Sequence, residues 1–363
     1  MSGPAGIFSD VMIEAMLDRA EIRVPMPLAK GQVQPASLDL RLGARAWRMR
    51  ASFLPGPSGS VAERIAAYSL HEIDLTRGAV LETGCVYLAE VQEELALPSD
   101  VAAAANPKSS TGRLDVFTRV ITEGAGAFDT IPAGYQGPLY AEISPRTFPV
   151  LVRMGSRLSQ IRFRRGQPRI DDIALRALHA RSRLVDREEA LIQDGVTFSV
   201  DLSGFDAQGL VGYRGKRHTA LVDVDRVGAY VASEYWEPIF LGARRELVLD
   251  PNEFYILASK EAVHVPPDHA AEMVPFDAVM GEFRVHYAGF FDPGFGHAAA
   301  GGSGARGVLE VRSRDVPFIV EDGQVVGRLI YEKMAGAPKQ LYGAGLSSNY
   351  QAQGLKLSKH FIG

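Results

Sequence analysis

The sequence contains a single cysteine, Cys85, among its 363 residues. One cysteine cannot form an internal disulfide, so the sequence predicts a protein of a reducing compartment. It also excludes a catalytic zinc centre of the kind that combines a His-x-Glu motif with Cys-x-x-Cys. No apolar run approaches the roughly 20 residues that a membrane-spanning helix needs.

Strong charge of either sign is also missing. The formal net charge is −4 at pH 7, which gives no electrostatic reason to expect binding to nucleic acid or to a membrane surface. Residues 1–20 lack the basic and apolar regions of a secretory signal peptide. We therefore expect a cytoplasmic protein with neither a nucleic-acid partner nor a membrane partner.

Glycine and proline, by contrast, are abundant. The 37 glycines and 21 prolines indicate many turns, and therefore a mainly β fold built from short strands. The chain is also longer than one hydrophobic core usually serves. Two domains are therefore the expected organisation.

The chain contains an internal repeat. Residues 79–103 and 247–271 align without a gap and share eight identical residues. Both segments alternate apolar and polar residues before a proline, which is the pattern of half-buried strands. An ungapped match of this length favours duplication over a chance likeness between two hairpins.

Two shorter matches extend the repeat. "SLDLRLG" (37–43) has a weaker counterpart in "FSVDLSG" (198–204). Glu142 in "LYAEIS" and Glu310 in "VLEVRS" are separated by the same offset as the two longer segments. The sequence therefore predicts two copies of one β domain in tandem.

Two helices are expected beside the strands. Residues 169–193 carry apolar residues at helical spacing with acidic residues near their start, which indicates a helix that links the two copies. Another helix should open the chain, with Ser9 or Asp10 as its N-cap. The sequence thus predicts a first β domain at residues 1–168, a helical linker at residues 169–195 and a second β domain at residues 196–363.

One stretch of the first copy is rich in hydrogen-bond donors. "KSSTGR" (108–113) contains Lys108, Ser109, Ser110 and Arg113, with almost nothing apolar among them. Several donors combined with positive charge suit the binding of phosphate groups. The alternative is that the two serines only cap a turn.

The order of the motifs resembles the dCTP deaminases, which share a trimeric β-barrel-like fold with the dUTPases. The family's phosphate motif is a basic residue, two serines, two variable residues and an arginine, and the stretch just described fits it. The family's hairpin motif fits "FFDPGFG" (290–296) followed by "VLE" (308–310). A tyrosine followed eleven residues later by a glutamine fits Tyr342 and Gln353.

The resemblance implies two tandem dUTPase-like β-barrel domains and a hydrolase acting on a C–N bond. The implied reaction converts dCTP to dUTP and ammonia, feeding dUMP and dTTP synthesis, with Mg²⁺ carried by the triphosphate and no zinc. A glutamate, Glu310 or Glu142, would serve as base and then as acid, with Ser109 and Arg113 beside it. Asp292 would bind the deoxyribose hydroxyl. The residues implied in phosphate binding are Lys108, Ser109, Ser110, Arg113, Tyr342 and Gln353.

Each copy lacks what the other keeps. The first copy has Pro132 at the position of the hairpin aspartate and no tyrosine-glutamine tail. The second copy keeps Asp292 and Glu310 but has "FDAVMG" (276–281) in place of the phosphate motif. Since family sites lie between subunits, these losses predict a composite site to which both domains contribute.

Other functions and assemblies stay open at this point. Release of phosphate from dUTP, alone or together with deamination, is one alternative, and a non-catalytic nucleotide sensor is another. Glu310 favours deamination, because a dUTPase does not need a glutamate there. Glu142 and Glu310 could instead be solvated strand residues, and Tyr342 could be ordinary aromatic packing. We expect a homo-oligomer, with a trimer of two-domain chains as one arrangement.

Overall fold

The computed structural model describes residues 3–242, 244–275, 283–286, 289–313, 315–343 and 354–363. The chain divides into two compact units. Unit 1 comprises Met1–Gln167, His218–Tyr230 and Ser358–Ile362, and unit 2 comprises Pro168–Arg217, Val231–Leu357 and Gly363. Unit 1 therefore includes two short segments from the second half of the sequence.

The first half of the chain carries three helices and fourteen strands among its described residues. The helices are α1 (Asp10–Asp18), α2 (Val61–Tyr68) and α3 (Ser109–Gly112). The strands are β1 (Gly6–Ile7), β2 (Ile22–Arg23), β3 (Val33–Gln34), β4 (Ser37–Leu40), β5 (Leu42–Met49), β6 (Ser69–Asp74), β7 (Ala79–Leu81), β8 (Val86–Ala96), β9 (Val101–Pro107), β10 (Val116–Thr122), β11 (Thr130–Ile131), β12 (Gln136–Pro145), β13 (Val150–Val152) and β14 (Ser159–Arg165).

The second half continues the same pattern of short strands. Its helices are α4 (Asp172–Arg181) and α5 (Ala232–Tyr235). Its strands are β15 (Val196–Ser199), β16 (Leu210–Gly215), β17 (Val222–Asp223), β18 (Tyr230–Val231), β19 (Trp236–Phe240), β20 (Glu246–Leu249), β21 (Phe254–Val263), β22 (His269–Pro275), β23 (Phe283–His286), β24 (Phe290–Phe291), β25 (Ala305–Ser313), β26 (Phe318–Glu321), β27 (Val325–Lys333) and β28 (Phe361–Ile362). The predicted mainly β fold, with one helix near the start and one linking the halves, is confirmed.

Unit 1 is built on two large sheets. Their strand orders are β11-β9-β14-β4-β3, with β1 added to β14, and β10-β12-β8-β5-β6, with β2 added to β8. A third, smaller sheet has the order β17-β13-β7, and in it the segment His218–Tyr230 contributes β17 parallel to β13. The unit therefore completes this three-stranded sheet with residues from far along the chain.

Unit 2 repeats this plan. Its larger sheets have the orders β15-β27-β22-β24 and β19-β16-β21-β25-β23, and β20 pairs with β26. One core cluster includes Phe198 and Leu329 from the first sheet and Leu257 and Leu309 from the second. The two sheets therefore pack against each other over a shared apolar core. None of the helices in the described ranges is long and apolar enough to span a bilayer.

The strand register confirms the internal repeat. Tyr87 lies opposite Ile143 in the β8–β12 pair, and Tyr255 lies opposite Val311 in the β21–β25 pair. Tyr255 follows Tyr87, and Val311 follows Ile143, by the same number of residues that separates the two repeated segments. The hydroxyl of Tyr87 accepts a hydrogen bond of 3.0 Å from the backbone N–H five residues earlier, and that of Tyr255 does the same at 2.9 Å. Both the pairing and the local contacts have therefore been kept in the two copies.

One alignment made from the sequence is wrong. Leu40 pairs with Ser159, and Phe198 pairs with Gly327, which is the repeat counterpart of Ser159. Leu40 and Phe198 are therefore equivalent, and "SLDLRLG" corresponds to residues 195–201 rather than to "FSVDLSG". The two strings share a short Asp-Leu match, whereas the sheet register decides which residues take the same place.

The two predicted helices are present, and one is shorter than expected. Helix α1 starts after Ser9, although it is Asp10 whose carboxylate accepts a hydrogen bond, from Val11 N at 2.8 Å. Helix α4 begins after Asp171, whose side chain accepts from Ala174 N at 2.8 Å. It ends at its tenth residue, well before the end of the predicted segment 169–193.

Burial of an extended stretch explains the early end of α4. Leu184 and Val185, just beyond the helix, are 0% and 1% exposed. Leu184 N donates to His179 Nδ1 at 3.1 Å, and Val185 forms an isolated bridge with Val263. Tertiary contacts therefore hold this stretch extended, although its spacing of apolar residues suits a helix.

Each unit buries one glutamate at the same place in the repeat. Glu93 in β8 accepts from Arg41 N, Arg41 Nε and Gln32 Nε2, each at 2.8 Å. Glu261 in β21 accepts from Ser199 N at 2.8 Å and from Ser199 Oγ at 2.6 Å. In both units the carboxylate is therefore bonded to the backbone and the side chain of one residue at the end of an equivalent strand.

We predict that Arg41→Ala destabilises the protein by about 3–5 kcal/mol, because it leaves the fully buried carboxylate of Glu93 without its ion-pair partner. The matched control is Arg45→Ala, which removes an ion pair with Glu90 on the same strand β8. The Arg45 side chain is 54% exposed, so its loss should cost less than about 1 kcal/mol. Urea unfolding measures both changes, and equal losses would contradict the importance of the buried pair.

Candidate active site

The donor-rich stretch forms a single helical turn directly after β9. Thr111 N and Gly112 N donate to the carbonyl oxygen of Lys108 at 2.8 and 3.0 Å, and Arg113 N donates to that of Ser109 at 3.1 Å. The N-cap residue is Lys108, and its side chain makes no capping hydrogen bond. Backbone bonds therefore close the turn, without a serine as the N-cap.

The side chains of this turn differ in exposure. Ser109 is exposed, whereas Ser110 is 6% exposed and Arg113 only 2%. Arg113 is among the largest fully buried side chains of the protein. Burial of a guanidinium is costly unless other groups match its charge. The turn therefore places a buried positive charge, that of Arg113, inside unit 1.

A buried carboxylate positions two cations beside the turn. Asp39, in β4, is 1% exposed and forms an ion pair with Lys108 through Oδ1, while Arg157 Nη1 lies 3.3 Å from its Oδ2. Sequence reasoning did not assign a role to Asp39 or Arg157. The available signal was an acidic residue set between apolar neighbours in "SLDLRLG", a pattern that indicates a buried charge with a partner.

Glu142 is held in an ion pair inside unit 1. It is 2% exposed in β12 and lies opposite Arg119 in β10. Arg119 Nε donates to Glu142 Oε1 at 3.1 Å, and Arg119 Nη2 bonds the same oxygen. The guanidinium lies over the rings of Phe128 and Phe117, at 3.5 and 4.6 Å from their centroids. Glu142 is therefore not solvated: Arg119 holds its Oε1, while its Oε2 is buried without a hydrogen-bond partner among the described residues.

Glu310 occupies the equivalent position in unit 2. It is 3% exposed in β25, between Ile256 in β21 and His286 in β23. The alternative of a solvated strand residue is therefore excluded for this glutamate too. The residue directly opposite the glutamate is a histidine in unit 2, where Arg119 lies opposite Glu142 in unit 1.

The hairpin aspartate and the tail tyrosine lie together in unit 2. Asp292 is 7% exposed and follows β24. Tyr342 N donates to the Pro293 carbonyl oxygen at 2.8 Å, and the Tyr342 ring lies 5.6 Å from that of Phe295. Gly294 has φ +96, and a Cβ there would lie 3.1 Å from Tyr342 N. The glycine therefore permits both the turn and the close approach of the tyrosine segment.

Unit 1 has a proline where unit 2 has this aspartate. Ala103 pairs with Ile131, and the equivalent Ala271 pairs with Phe291. The next residue along the chain is Pro132 in unit 1 and the hairpin aspartate in unit 2. The strand register thus agrees with the alignment that placed a proline at the aspartate position of the first copy.

The hairpin of unit 2 is extended by residues 296–307. This insertion contains a 3-10 turn, Ala298–Ala300, which the side chain of His297 caps. Arg306 Nη1 bonds Asp201 Oδ2 at 2.8 Å. The Arg306–Asp201 contact therefore ties the glycine-rich insertion to the rest of unit 2, whereas the His297 cap lies within the insertion itself.

Two parts of the predicted site lie outside the described residues. These are Gln353 and the segment 276–281, the counterpart of the phosphate motif in the second copy. Within the ranges that are described, no three His, Cys, Asp or Glu side chains are grouped so as to hold a metal ion. The remaining predicted residues are divided between the units: the turn at residues 108–113 and Glu142 are in unit 1, and Asp292, Glu310 and Tyr342 are in unit 2.

Two family models match the chain. The N-terminal domain of 2'-deoxycytidine 5'-triphosphate deaminase (DCD) matches residues 4–167. The C-terminal domain of 2'-deoxycytidine 5'-triphosphate deaminase (DCD) matches residues 171–361. The two matches together span nearly the whole chain and meet close to the start of α4.

Individual relatives of this chain are also dCTP deaminases. The dCTP deaminase of Haloarcula marismortui is 32% identical over 161 residues, which are 43% of this chain and 79% of the relative. The dUMP-forming dCTP deaminase of Methanoculleus marisnigri is 32% identical over 166 residues, 44% of this chain and 80% of the relative. The crystal structure of 2'-deoxycytidine 5'-triphosphate deaminase from Agrobacterium tumefaciens is 59% identical, with a TM-score of 0.88, and covers 91% of this chain and 99% of that chain. The chain, with two successive family domains, therefore belongs to the dCTP deaminase family.

Proposed function

We propose that the protein catalyses the hydrolytic deamination of dCTP to dUTP and ammonia. The proposal is carried by Glu310, a buried glutamate in the unit that also holds Asp292 and Tyr342. A carboxylate withdrawn from water is suited to take up a proton and to return it. The names of the relatives, which are dCTP deaminases, support the same substrate.

The proposed site is composite, with each half of the chain supplying what the other lacks. The turn from Lys108 to Arg113 would bind phosphates, because it combines hydroxyl donors with positive charge. Asp292 would accept a hydrogen bond from the deoxyribose hydroxyl, and Tyr342 and Gln353 would add further phosphate contacts. The support is the complementary loss of residues, with Pro132 at the aspartate position of unit 1.

One glutamate can carry both proton transfers of the reaction. Water adds to C4 of the cytosine, and the proton it loses passes through Glu310 to ring N3. The hydroxyl now on C4 gives up its proton, which Glu310 delivers to the amino group. The C–N bond then breaks, ammonia leaves and the C4 carbonyl of dUTP remains. General acid–base catalysis of this kind contributes about 10²–10⁴-fold to the rate.

The surroundings of Glu142 favour Glu310 as the proton carrier. Arg119 already bonds Oε1 of Glu142 through two nitrogens, and its guanidinium lies over two phenylalanine rings. Proton transfer by Glu142 would have to break a buried ion pair, which is costly. We therefore assign a structural role to Glu142 and the catalytic role to Glu310.

We propose that the reaction needs no zinc and that Mg²⁺ enters with the triphosphate. The support is the single cysteine of the sequence, which cannot provide the Cys-x-x-Cys ligands of zinc-dependent deaminases. Magnesium prefers phosphate and carboxylate oxygens and usually keeps several waters. It would therefore reduce repulsion among the phosphates without taking part in the attack on C4.

A second activity, hydrolysis of dUTP to dUMP, is the alternative to consider. It is favoured by the names of several relatives, which are dCTP deaminases of the dUMP-forming kind. Asp292 would then direct a water molecule at phosphorus in addition to binding the sugar. Both kinds of relative align with this chain at about the same identity, so the choice depends on the product formed.

We predict that Glu310→Gln lowers kcat for dCTP by about 10²–10⁴-fold, because the amide cannot accept the proton of the attacking water. The matched control is Glu142→Gln, at the equivalent position of the first copy, which should keep kcat within about tenfold of the wild-type value. Ammonia release measures both, after circular dichroism has shown that each variant is folded. Loss of turnover in Glu142→Gln with retention in Glu310→Gln would reverse the assignment.

We predict that the purified protein, stripped of zinc by a chelator and resupplied with Mg²⁺, releases one ammonia for each dUTP formed. Chromatography of dCTP, dUTP and dUMP at successive times measures the products. Loss of activity that only zinc restores would contradict the zinc-free mechanism. Accumulation of dUMP from the first turnovers would establish the bifunctional alternative, and no turnover of dCTP or dUTP would favour a nucleotide sensor.

A further inference from the structure

The outer edge of β26 in unit 2 has no strand paired to it among the described residues. Strand β26 pairs with β20 alone, whereas its repeat counterpart β13 pairs with both β7 and β17. The register is the same in both units, since Leu151 lies opposite Val80 and Ile319 lies opposite Val248. The same edge is therefore covered in unit 1 and open in the described part of unit 2.

The covering strand β17 uses backbone acceptors that have counterparts in unit 2. The carbonyl oxygens of Pro149 and Leu151 accept hydrogen bonds of 2.9 and 3.2 Å from the amides of β17 and of the residue after it. The counterparts of these acceptors are Pro317 and Ile319. Backbone groups in an antiparallel pair point alternately toward and away from the partner strand. Because Ile319 has the register of Leu151, its carbonyl group points away from β20, where a further parallel strand can reach it.

Both edges also end in the same way. Arg153 N donates to Ser156 Oγ at 2.9 Å, and the counterpart Glu321 N donates to Gln324 Oε1 at 3.1 Å. In each unit a side chain three residues further on thus satisfies the last outward N–H of the edge strand. The two edges therefore share the backbone arrangement to which β17 is fitted in unit 1.

Apolar side chains along this edge are covered in unit 1 and exposed in unit 2. Phe148 is 0% exposed, whereas its counterpart Val316 is 49% exposed. Leu151 is half-buried, whereas Ile319 is 55% exposed. An unpaired edge with exposed apolar residues is a template for strand addition, and proteins usually protect such an edge. The edge of β26 therefore offers both the backbone and the apolar surface that a docking strand uses.

The segment that covers β13 has a counterpart with a different role. The covering segment lies between β16 and β19, and its counterpart lies between the equivalent strands β5 and β6. In the counterpart, Ser52 Oγ accepts from Arg119 Nη2 at 2.9 Å, and Val61 N donates to Glu123 Oε2 at 2.9 Å. Both connections are therefore already in use within unit 1, and neither covers the edge of β26.

Charge distinguishes the two edges. Arg153 donates to both carboxylate oxygens of Asp223 at 2.8 and 2.9 Å, and to Asp225 at 2.8 Å. At the position of Arg153, unit 2 has Glu321, which is exposed and lies opposite Glu246. Like charges directly opposite each other on paired strands are unfavourable. The edge of unit 1 thus favours an acidic strand, whereas that of unit 2 repels an acidic strand and favours a basic one.

One weak ion pair acts against this negative charge. Arg244 Nη1 lies 3.5 Å from Glu246 Oε1, and the Arg244 side chain is 88% exposed. Exposed pairs of this kind contribute little. Glu321 itself forms no ion pair with any residue in the described ranges, so a cation brought to the edge meets a carboxylate that is still available.

We propose that the outer edge of β26 docks an extended segment of a partner protein, which adds a parallel strand and places basic side chains where β17 places Asp223 and Asp225. Backbone hydrogen bonds would supply the affinity, and contacts with Glu321 and Glu246 the specificity. A second copy of this chain does not supply the strand through β17, because β17 is acidic and already paired with β13. The inference is independent of the reaction proposed above.

Two synthetic peptides test the charge preference on the intact protein. One has the sequence of residues 219–228, and the other carries Asp223→Arg and Asp225→Arg in the same segment. In fluorescence anisotropy with labelled peptides, the arginine peptide should bind about 10- to 100-fold more tightly, because charge-assisted hydrogen bonds replace repulsion. Equal affinities, or no binding of either peptide, would overturn the proposal.

A charge exchange on the protein should reverse the preference. Glu321→Arg should bind the peptide of natural sequence about tenfold or more tightly than the arginine peptide, since it restores the pairing found in unit 1. The matched control is Glu189→Arg, which makes the same change in net charge at another exposed glutamate of unit 2 and should keep the wild-type preference. Circular dichroism checks that both variants are folded. Reversal in both variants, or in neither, would show that Glu321 does not set the preference.

Hydrogen exchange and sedimentation identify the place and the occupant. The bound arginine peptide should slow amide exchange in residues 316–321, because outward N–H groups of the edge enter a new ladder. Protection elsewhere without slowing in this segment would contradict docking at β26. Sedimentation velocity should give the same assembly state for wild type and Glu321→Arg without peptide. Dissociation of an assembly by Glu321→Arg would instead make the edge an interface between copies and overturn the proposal of a partner protein.

Discussion

Both units depend on a buried carboxylate that must be satisfied before the strands can pack. Glu93 and Glu261 stand at the same place in the repeat, and each is bonded by the backbone N–H and the side chain of one residue on a distant strand. A slip of one residue would turn that charge away from its donors, at a cost of several kcal/mol. The interaction therefore fixes the place of β8 and β21, and these strands pair with β12 and β25, which carry Glu142 and Glu310. The donor is Arg41 in unit 1 and Ser199 in unit 2, so the two units share the satisfied carboxylate rather than one particular pair.

The two units share the same arrangement of strands but differ in side chain at a few positions. The residue opposite the repeated glutamate is an arginine in unit 1, where Arg119 forms an ion pair with Glu142, and a histidine in unit 2. The hairpin residue is Pro132 in unit 1 and Asp292 in unit 2. Strand pairing tolerates these exchanges because it uses backbone atoms, whereas the chemistry of a site depends on side chains. A duplicated chain can therefore divide the work between its copies without altering its sheets.

Local patterns made much of this fold predictable. Alternating apolar residues and an ungapped internal repeat were enough for the β class, the duplication and the counterpart of the hairpin aspartate. Helix α2 was missed, although Ser60 and Glu63 form a capping box that the sequence displays. The early end of the linking helix and the ion pair between Lys108 and Asp39 could not be foreseen in the same way. Each is decided by contacts between residues far apart in the chain, which carry no local signature.

The participation of the final residues in unit 1 has a consequence for how the protein is made. Gln167 leaves the ribosome about 190 residues before Ser358, which at about 5–20 residues per second is a delay of roughly 10–40 s. During that time the nascent first unit lacks β28 and the hydroxyl that donates to the Ser110 carbonyl oxygen, and for the first part of it β17 is missing as well. Vectorial synthesis thus completes the first unit only after most of the second has been made, and a chain cut short before Ser358 lacks the hydroxyl that donates to the Ser110 carbonyl oxygen.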